Sequence, residues 1–366
     1  MTQPIHPPLS AVVLAAGEGS RMRSQRPKPL HRLCGRPMLM YVVDSLVDTD
    51  AVRAVIVVGH KGEWVTKKMQ EHAHDLEIDY VEQRVQRGTG DATMVGLVGL
   101  PDEDDEGDVL VLPGDAPLLR ASTVAELVAH HRATGAAATL LTARMADPSG
   151  YGRVVRGPDG SVRRIVEHGD ASEDELEIDE VNTSIYCFRR NLLAPALRRV
   201  EPDNSQGEYY LTDVVKVLSD TGHQVEALVA PDDAETQGVN DRVQLAAAES
   251  ELRRRTNEAL LRSGVTMLDP SSVFVDTTVT VGRDVTLFPG VILQGTTRVG
   301  DGTELGPNTR LVDCEVGDDC VIEQTTARSA RIGERAVVGP YASLGPGAEI
   351  ASDAITGPFY TSDAAS

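Results

Sequence analysis

Cysteine and long apolar runs are scarce in the sequence, and each shortage excludes a class of protein. The four cysteines, Cys34, Cys187, Cys314 and Cys320, form no Cys-x-x-Cys pair, so the sequence carries neither a zinc-binding pattern nor a dense disulfide framework. No apolar run reaches about 18 residues, and the N-terminal segment lacks the basic start and apolar centre of a signal peptide. We therefore expect reduced thiols, no membrane partner and a cytoplasmic location.

Positive charge is scarce as well. The 366 residues include 35 Lys and Arg against 56 Asp and Glu, which gives a formal net charge of −21 at pH 7. A field of this sign repels a phosphate backbone, so we expect no nucleic-acid partner. A phosphate-bearing substrate would have to be attracted by a local cluster of Lys and Arg, which makes any short basic motif informative.

The sequence does contain enough apolar material for a sizeable core. Apolar residues make up 41% of the chain and charged residues 25%, and the length predicts two to three domains at about 150 residues each. Short apolar runs, several of them rich in β-branched residues, alternate with helix-like segments, which is typical of βαβ units and predicts one α/β domain over residues 1–240. The strand candidates are residues 10–16, 52–58, 78–81, 109–112 and 137–142.

A single long helix is predicted where the composition first changes. Residues 241–264 are rich in Ala, Leu, Glu and Arg. Asn240 or Asp241 offers an N-cap, and Gly264 offers a stop signal. A helix of this length between two segments of different composition indicates a linker outside either core.

An aliphatic residue precedes glycine repeatedly between residues 265 and 350. Several intervals between these pairs are six or eighteen residues, which is the hexapeptide signature of a left-handed parallel β-helix. The intervals from Leu305 to Val316 and from Val316 to Ile332 interrupt the register, and a sandwich of short strands is the alternative. Residues 351–366 show no repeat and are predicted to form an irregular tail. The pairs are Val281–Gly282, Val299–Gly300, Leu305–Gly306, Val316–Gly317, Ile332–Gly333, Val338–Gly339 and Leu344–Gly345.

Glycines and cations occur together directly after the first strand candidate, where residues 14–30 read LAAGEGSRMRSQRPKPL. Gly17 and Gly19 allow the backbone to turn its N–H groups toward phosphate oxygens. Arg21 and Lys28 supply positive charge. A dinucleotide fingerprint would need a third glycine three residues after Gly19, and a P-loop would need Gly-Lys-Ser/Thr, so neither motif fits. The segment therefore predicts a phosphate-binding loop of another kind.

Six further segments complete the pattern that begins at residue 14: Glu82–Gly90, Pro113–Leu118, Gly150–Arg153, Ile165–His168, Val181–Ser184 and Gly238–Asp241. Together with residues 14–30 they resemble the motifs of nucleotide-sugar pyrophosphorylases. From residue 10 to about 350 the chain resembles the bacterial N-acetylglucosamine-1-phosphate uridyltransferases. The resemblance implies an α/β fold, with a Rossmann-like nucleotide-diphospho-sugar transferase domain followed by a short left-handed β-helix.

The resemblance also implies a role for each matching residue. Arg21 and Lys28 are implied to be catalytic, and Asp115 and Asn240 to hold Mg²⁺ together with phosphate oxygens and water. Whether Asp241 joins the metal is left open. The residues implied to hold the nucleotide are Leu14, Ala15, Ala16, Gly17, Gln83, Gly88 and Thr89; the other implied substrate contacts are Lys28, Gly114, Asp115, Gly152, Glu167, Asn182 and Asn240.

The reaction implied is formation of UDP-N-acetylglucosamine from UTP and N-acetylglucosamine-1-phosphate, with release of pyrophosphate. The sugar phosphate would attack the α-phosphorus of UTP in line, so no protein nucleophile is needed. One alternative keeps the fold and changes the substrate to another sugar-1-phosphate, or the nucleotide to dTTP or ATP. A second alternative is a non-catalytic subunit that binds a nucleotide sugar.

The C-terminal part departs from the family. Full-length members carry a longer β-helix with an acetyl-CoA-dependent site that uses a catalytic histidine. Here the last histidine is His223, the last lysine is Lys216, and Gly345 stands where the family has an arginine. We therefore expect no acetyl transfer, because residues 265–366 offer no imidazole to deprotonate an amine. We expect the β-helix to assemble the chain into a homotrimer instead.

Overall fold

A computed structural model describes residues 7–71, 76–101 and 106–362. The chain divides into two compact units. The first comprises Met1–His31 and Pro37–Gln244, and the second comprises Arg32–Arg36 and Leu245–Ser366. None of the helices in the described ranges is long and apolar enough to cross a lipid bilayer.

Each of the five strand candidates corresponds to an observed strand, and the predicted and observed ends differ by at most two residues. The first eleven strands are β1 (Leu9–Ala15), β2 (Arg32–Leu33), β3 (Arg36–Pro37), β4 (Ala51–Val58), β5 (Glu77–Glu82), β6 (Asp108–Pro113), β7 (Ala138–Arg144), β8 (Arg153–Arg156), β9 (Val162–Val166), β10 (Glu180–Arg189) and β11 (Val225–Val229). β2 and β3 pair with each other as a separate hairpin. The other strands form one mixed sheet in the first unit, with the order β11-β7-β10-β6-β1-β4-β5 and with β8 and β9 attached beside β10.

The strand order reverses at the centre of this sheet. β1 pairs in parallel with β4 on one side and with β6 on the other. The chain runs from β1 outward through β4 and β5 and then returns to β6 on the opposite side. In open α/β sheets, ligands bind at the carboxyl ends of the strands where such a reversal occurs. The topology therefore directs the site to the loops that follow Ala15 and Pro113.

Residues on β1 and β6 alternate between two apolar cores, one on each face of the sheet. Val12 belongs to one core, whereas Ala11 and Val13 belong to the other. On β6, Val109 and Leu110 divide in the same way. All five side chains are fully buried, which explains why these strands read as continuous apolar runs rather than as an alternation of apolar and polar residues.

Most strands of the sheet pair in parallel, but β8, β9 and β10 take part in antiparallel pairs. β10 runs antiparallel to both β6 and β7, so the sheet is mixed. The α-helices in the described ranges are α1 (Met38–Asp44), α2 (Gly62–Gln70), α3 (Thr89–Val98), α4 (Ala121–Thr134), α5 (Glu173–Leu176), α6 (Arg190–Leu197), α7 (Asp213–Asp220) and α8 (Arg242–Arg262).

Helix α8 begins and ends within two residues of the bounds that the sequence predicted. Its N-terminus is capped by Asp241, whose Oδ1 accepts hydrogen bonds from the backbone N–H groups of Val243 and Gln244, at 2.9 and 2.8 Å. The sequence favoured a linker outside either core, but from Leu245 onward the helix is part of the second unit. Leu252 is buried there, and Leu260 packs against the core of the parallel strands that follow.

The second unit is a coil of short parallel strands stacked into three sheets, which confirms a β-helix and excludes the alternative sandwich. Its left-handed sense stays a prediction. One sheet contains β12 (Thr266–Met267), β15 (Thr286–Leu287), β18 (Glu304–Leu305), β21 (Val321–Ile322) and β24 (Val337–Val338); the next contains β13 (Phe274–Val275), β16 (Ile292–Gln294), β19 (Arg310–Val312), β22 (Thr326–Arg328), β25 (Ser343–Leu344) and β27 (Thr361–Ser362); the third contains β14 (Thr280–Val281), β17 (Arg298–Val299), β20 (Glu315–Val316), β23 (Arg331–Ile332) and β26 (Glu349–Ile350).

Coils of unequal length explain the irregular intervals in the repeat. Arg298 pairs with Glu315 on the next coil, and Glu315 pairs with Arg331 on the one after. Both of these coils are shorter than the earlier coil from Thr280 to its partner Arg298. The shorter coils have fewer residues between their strands, and the strands themselves keep their pairing. Leu305, Val316 and Ile332 therefore still point into the core.

In the first four strands of the third sheet, the glycine after the aliphatic residue is required by space. A Cβ on Gly282 would lie 2.3 Å from Asp301 Oδ1 of the next coil. That oxygen accepts a hydrogen bond from the N–H of Arg283, at 2.8 Å. A Cβ on Gly300 would meet Asp318 Oδ1 in the same way, at 2.2 Å. At these two positions an aspartate of one coil lies against a glycine of the previous coil, whereas at Gly317 and Gly333 the backbone of the next coil leaves no room for a Cβ.

The segment predicted as an irregular tail differs from that expectation as far as the described residues extend. Ser343 and Leu344 of β25 pair in parallel with Thr361 and Ser362 of β27, and Ile355 forms a bridge with Val337. Residues 351–362 therefore continue the coil. Pairing is carried by backbone groups and does not need the aliphatic-glycine repeat, which is why the sequence pattern missed it. Residues 363–366 lie outside the described part of the chain.

Candidate active site

A cavity of about 470 Å³ opens where the strand order reverses, between the loops that follow β1 and β6. It is the place to which the sheet topology directs a ligand. Eleven of the predicted site residues line it: Leu14, Ala16, Gly17, Gln83, Gly88, Thr89, Asp115, Gly152, Glu167, Asn182 and Asn240.

The four remaining predicted residues support the lining from behind or from its edge. The Gly114 N–H donates to the carbonyl of Leu14, at 2.8 Å, and a Cβ on Gly114 would lie 3.0 Å from that of Ala15. These two residues therefore fix the spacing of the two strand ends. Arg21 and Lys28 reach the cavity through contacts with Asn240.

A cluster of two cations and two oxygen-bearing side chains lies at this edge. Lys28 Nζ donates to Asn240 Oδ1 at 2.9 Å and is also hydrogen-bonded to Asp115 Oδ2. An Arg21 guanidinium nitrogen donates to the same Asn240 oxygen at 3.0 Å. The four residues come from the loop after β1, the loop after β6 and the segment before α8, so the fold joins side chains that are distant in the sequence.

The cluster also indicates whether the chain could hold a divalent cation. The oxygens of Asp115 and Asn240 converge on one positive group, the Lys28 ammonium, which marks a point where a small cation fits. Both are hard oxygen donors of the kind that Mg²⁺ shares with phosphates and water. Asp241 is engaged elsewhere, as the cap of α8. In the described ranges, no three His, Cys, Asp or Glu side chains form a metal-binding group.

One end of the cavity is built by Gln83 and the start of α3. Gly88 precedes α3 with a φ of +106°, and a Cβ there would lie 2.5 Å from the carbonyl oxygen of Tyr209. The Thr89 hydroxyl accepts a hydrogen bond from the N–H of Leu211, at 3.0 Å. The Gln83 amide donates to Asp91 Oδ2 at 2.7 Å and to the Gly88 carbonyl at 3.3 Å. This end is therefore rigid and rich in amide groups.

Polar side chains of the β8–β10 region build the other end. The Asn182 N–H donates to the Gly152 carbonyl at 2.8 Å, which joins two predicted contacts directly. Thr212 Oγ1 donates to Glu167 Oε1 at 3.0 Å. Burial raises the pKa of Glu167, and the nearby charges of Asp213 and Asp170 raise it further. A buried carboxyl with one fixed partner suits a ligand that offers hydroxyl donors.

A bulge in β10 accounts for the exposure of Asn182 to the cavity. The pairing of β10 with β7 shifts register between Asn182 and Ile185. Ser184, inside the bulge, has a φ of +62°, which is strained for a residue with a Cβ. The Ser184 N–H donates to Asn182 Oδ1 at 3.3 Å. Such bulges occur beside binding sites, where they redirect a side chain.

Sequence reasoning missed other lining residues. Gln86 lies within a quoted motif, and its Nε2 donates to the Ala16 carbonyl at 2.5 Å, which joins the two loops. Tyr151 also lies within a motif, and burial together with the charges of Asp115 and Asp233 raises the pKa of its hydroxyl. Glu208 and Thr236 carry no local signal. The missed lining residues are Gln86, Ala92, Pro113, Gly150, Tyr151, Thr183, Ser184, Glu208, Thr236 and Gly238.

A larger cavity, of about 820 Å³, lies at the opposite end of the same strands, and none of the predicted residues lines it. Several of its charged groups are paired with one another. Arg132 bridges Asp108 and Asp50 at 3.2 and 2.8 Å. Burial raises the pKa of Asp108, but His131 and Arg132 together outweigh it and hold that pKa below its ordinary value. The carboxyl-end cavity, with its convergent cations, is therefore the candidate active site.

Comparison with known proteins shows the family to which the chain belongs. The family model described as nucleotidyl transferase matches residues 10–234. A bifunctional protein GlmU of Thermobifida fusca is 47% identical over 89% of this chain and 67% of its own length. Bifunctional GlmU proteins of Streptomyces avermitilis and Streptomyces coelicolor are each 46% identical over 96% of this chain and 73% of their own length.

The fold and the site thus define a nucleotidyltransferase, and the chain is an enzyme of that class. Within the class it belongs to the GlmU family. The resemblance found in the sequence is thereby confirmed, as are the α/β domain followed by a β-helix and the assignment to the UDP-N-acetylglucosamine diphosphorylase type.

Proposed function

We propose that the chain joins UTP to N-acetylglucosamine-1-phosphate and releases pyrophosphate. The observation that carries this proposal is the convergence of Lys28, Asp115 and Asn240 at the strand reversal, with Arg21 on the same amide oxygen. The ammonium group of Lys28 and the guanidinium group of Arg21 can neutralise a polyphosphate at the cavity of an otherwise acidic protein.

The chemistry needs positioning and charge rather than a protein nucleophile. A phosphate oxygen of the sugar-1-phosphate forms a bond with the α-phosphorus of UTP. The bond from that phosphorus to the oxygen bridging to the β-phosphate breaks, and the electron pair leaves with pyrophosphate. The attacking group is already an anion, so no base has to remove a proton. Lys28 and Arg21 would lower the barrier by offsetting negative charge as the bond breaks.

Asp115 and Asn240 would hold Mg²⁺, which when bound would supply further positive charge to the phosphates. In that state Lys28 would turn from these oxygens toward a phosphate, because its ammonium and the metal would otherwise compete for the same donors. The Asp241 carboxylate stays with α8 as its cap.

The two ends of the cavity suit the two substrates. Gln83, Gly88 and Thr89 offer amide and backbone groups that can read the edge of a base, with Leu14, Ala15, Ala16 and Gly17 beside the ribose. Gly152 lies where any side chain would crowd Glu167 and Ile165, so a pyranose ring can approach the backbone. Glu167 would accept hydrogen bonds from sugar hydroxyls, and the Asn182 amide would recognise the N-acetyl group.

Pyrophosphate release tests the proposal directly. With Mg²⁺ and UTP, we expect release with N-acetylglucosamine-1-phosphate and much less with glucose-1-phosphate. Lys28→Ala should lower kcat by roughly 10²-fold or more, with a melting temperature close to that of the wild type. Lys216→Ala is the matched control, because Lys216 is exposed and forms its ion pair with Asp220, away from the cavity lining.

Each other result would favour a specific alternative. Preference for glucose-1-phosphate would keep the reaction and overturn the assignment of Glu167 and Asn182. Turnover with dTTP or ATP in place of UTP would overturn the nucleotide. Silence with every pair, together with retained binding of a nucleotide sugar, would favour a non-catalytic binding subunit. Wild-type kcat in Lys28→Ala would contradict the role given to the cluster.

We further propose that this chain carries out no acetyl transfer. The β-helix residues 265–366 include neither His nor Lys, so the segment offers no imidazole to deprotonate an amine and no lysine ammonium to bind a phosphate, both of which the family's acetyl-transfer site uses. Incubation with acetyl-CoA and glucosamine-1-phosphate should liberate no free thiol. Thiol release at a rate above the protein-free reaction would overturn this part of the proposal.

For the β-helix we propose assembly of three copies. The exposed side of its third sheet alternates basic and acidic residues, Arg298, Glu315, Arg331 and Glu349, and Arg331 Nε lies 3.0 Å from Glu315 Oε2. Sedimentation should give about three times the 39.2-kDa chain mass, and a single-chain mass would contradict it. We also propose a cytoplasmic location, in keeping with four buried thiols that form no disulfide.

A further inference from the structure

The carboxylate of Asp91 fixes the orientation of the Gln83 side chain. Gln83 Nε2 donates to Asp91 Oδ2 at 2.7 Å and to the Gly88 carbonyl at 3.3 Å. Both partners can only accept, so the nitrogen of the amide must face them and its oxygen must face away. Unlike most amides, this one has no equally good flipped state, because a flip would set Oε1 against two acceptors.

The oxygen of Gln83 is therefore the atom available to a ligand. Gln83 lines the cavity and is 5% exposed. None of the described residues donates to its Oε1. Oε1 is not fully buried, and Gln83 borders the cavity, so a ligand in the cavity can contact this atom. Gln83 Oε1 is thus an acceptor that has no partner among the described residues, and it lies at the end of the site where the base would bind. A ligand that offers a donor there can form a hydrogen bond with it.

We propose that Asp91 is a specificity-determining residue, which holds Gln83 as an acceptor so that the site selects a base with a ring N–H. The inference rests on the proposed function, in which the nucleotide is UTP. Uracil has a single donor on its pairing edge, the N3–H group, and that group meets Gln83 Oε1. Cytosine carries an unprotonated N3 at this position, which would face the oxygen as acceptor against acceptor.

The position of Asp91 admits a structural role as well, because it lies in the first turn of α3, where a carboxylate stabilises the helix dipole. That role would change stability without changing the choice of base. The two roles are separated by the ratio of kcat/KM for UTP to kcat/KM for CTP, since helix stability affects both nucleotides equally.

The experiment compares Asp91→Asn with a double variant in which the polarity of the pair is exchanged. In Asp91→Asn the new amide can accept or donate, so a flipped Gln83 loses only its longer bond to the Gly88 carbonyl, and the UTP-to-CTP ratio should fall by roughly tenfold or more. In Gln83→Glu combined with Asp91→Asn, the Asn amide donates to the new carboxylate, which again presents an acceptor, and the ratio should return toward wild type. Glu63→Gln, an exposed first-turn carboxylate of α2, is the control for helix charge.

Direct titration of UTP and CTP, without sugar phosphate, keeps this test separate from the proposed reaction. Absent turnover in the wild type would overturn the proposed function, while the binding ratio would still decide the role of Asp91. A UTP-to-CTP affinity ratio within twofold of wild type in Asp91→Asn would overturn the inference. A double variant that discriminates between UTP and CTP no better than Asp91→Asn would overturn it as well. A fall in melting temperature at an unchanged ratio would leave Asp91 only its role in the helix.

Discussion

Gly19 has a φ of +62° and lies directly against Lys28, because a Cβ on Gly19 would come within 2.7 Å of the Lys28 Cβ. Gly19→Ala therefore combines two effects. The left-handed backbone costs about 1 kcal/mol of stability in a residue with a Cβ, and the clash moves the Lys28 side chain from Asp115 and Asn240. We expect kcat/KM for pyrophosphate release to fall about tenfold or more.

Gly222→Ala separates strain from displacement. Gly222 has a φ of +83°, and a Cβ there would meet nothing within 4 Å, so this variant should lose similar stability and keep its activity. Chemical unfolding and initial rates on both variants make the comparison. Equal kcat/KM in Gly19→Ala and Gly222→Ala would show that the contact with Lys28 does not position the ammonium.

The buried carboxyl of Glu167 makes stability depend on pH. Burial raises its pKa above the ordinary value of 4.5, so its contribution to stability is fully present below pH 4.5 and is lost as the pH rises through the folded-state pKa. Glu167→Gln keeps an acceptor for the Thr212 hydroxyl and removes the charge. The free energy of unfolding of this variant, relative to wild type, should therefore increase between pH 4.5 and 7.5, while its KM for the sugar phosphate rises about tenfold.

Unfolding curves at several pH values, together with sugar-phosphate KM at pH 7.5, measure both consequences. A stability difference between wild type and Glu167→Gln that stays constant with pH would mean that the pKa of Glu167 is not raised by folding. An unchanged KM at neutral pH would remove Glu167 from the sugar site while leaving the pH effect intact.

Among the elements, helix α8 is joined to the β-helix by a buried amide. Asn257 is 2% exposed, and its Nδ2 donates to the carbonyls of Pro270 and Val273 at 2.8 and 3.0 Å. Asn257→Ala leaves both carbonyls without this donor and should lower the free energy of unfolding by about 2 kcal/mol. Thr256→Ala, which removes a bond to Leu252 within the helix, should cost much less, and equal losses in the two variants would contradict this role of the amide.

The sequence predicted elements well where one local signal decided them. Apolar runs located β1 and β4 to β7, and composition located α8 within two residues. It failed where pairing or packing decided. β10 lies between β6 and β7 and runs antiparallel to both, and Thr361–Ser362 joins a sheet through backbone groups. The amino acids of these two strands do not indicate which strands they pair with.

The candidate site shows the same division. Motifs and resemblance identified Lys28, Asp115 and Asn240 as site residues. No spacing rule predicts, however, that Lys28 and Asn240, which are far apart in the sequence, share a hydrogen bond. Gln83 and Asp91 are close in the sequence, yet their contact depends on the turn at Gly88 that starts α3. Residues with a ligand-facing role can be found from sequence, whereas residues that orient them require the fold.

For the whole molecule, the net charge and the site have opposite effects on a polyphosphate. The formal charge of −21 repels UTP over long distances, whereas Arg21 and Lys28, which share the Asn240 oxygen, attract it at contact. Salt screens the distant charges first, because the Debye length is about 30 Å at 0.01 M, about 10 Å at 0.1 M and about 3 Å at 1 M. KM for UTP should therefore decrease as salt rises to roughly 0.1 M and increase again toward 1 M.

Initial rates across this range, at a constant concentration of free Mg²⁺, test the balance between the two fields. Arg21→Gln should keep the fall at low salt, which comes from the whole molecule, and should flatten the rise at high salt, which comes from the site. A KM that rises steadily from the lowest salt would mean that the local cations outweigh the acidic surface at every distance. In that case the net charge would have no bearing on how the nucleotide reaches its site.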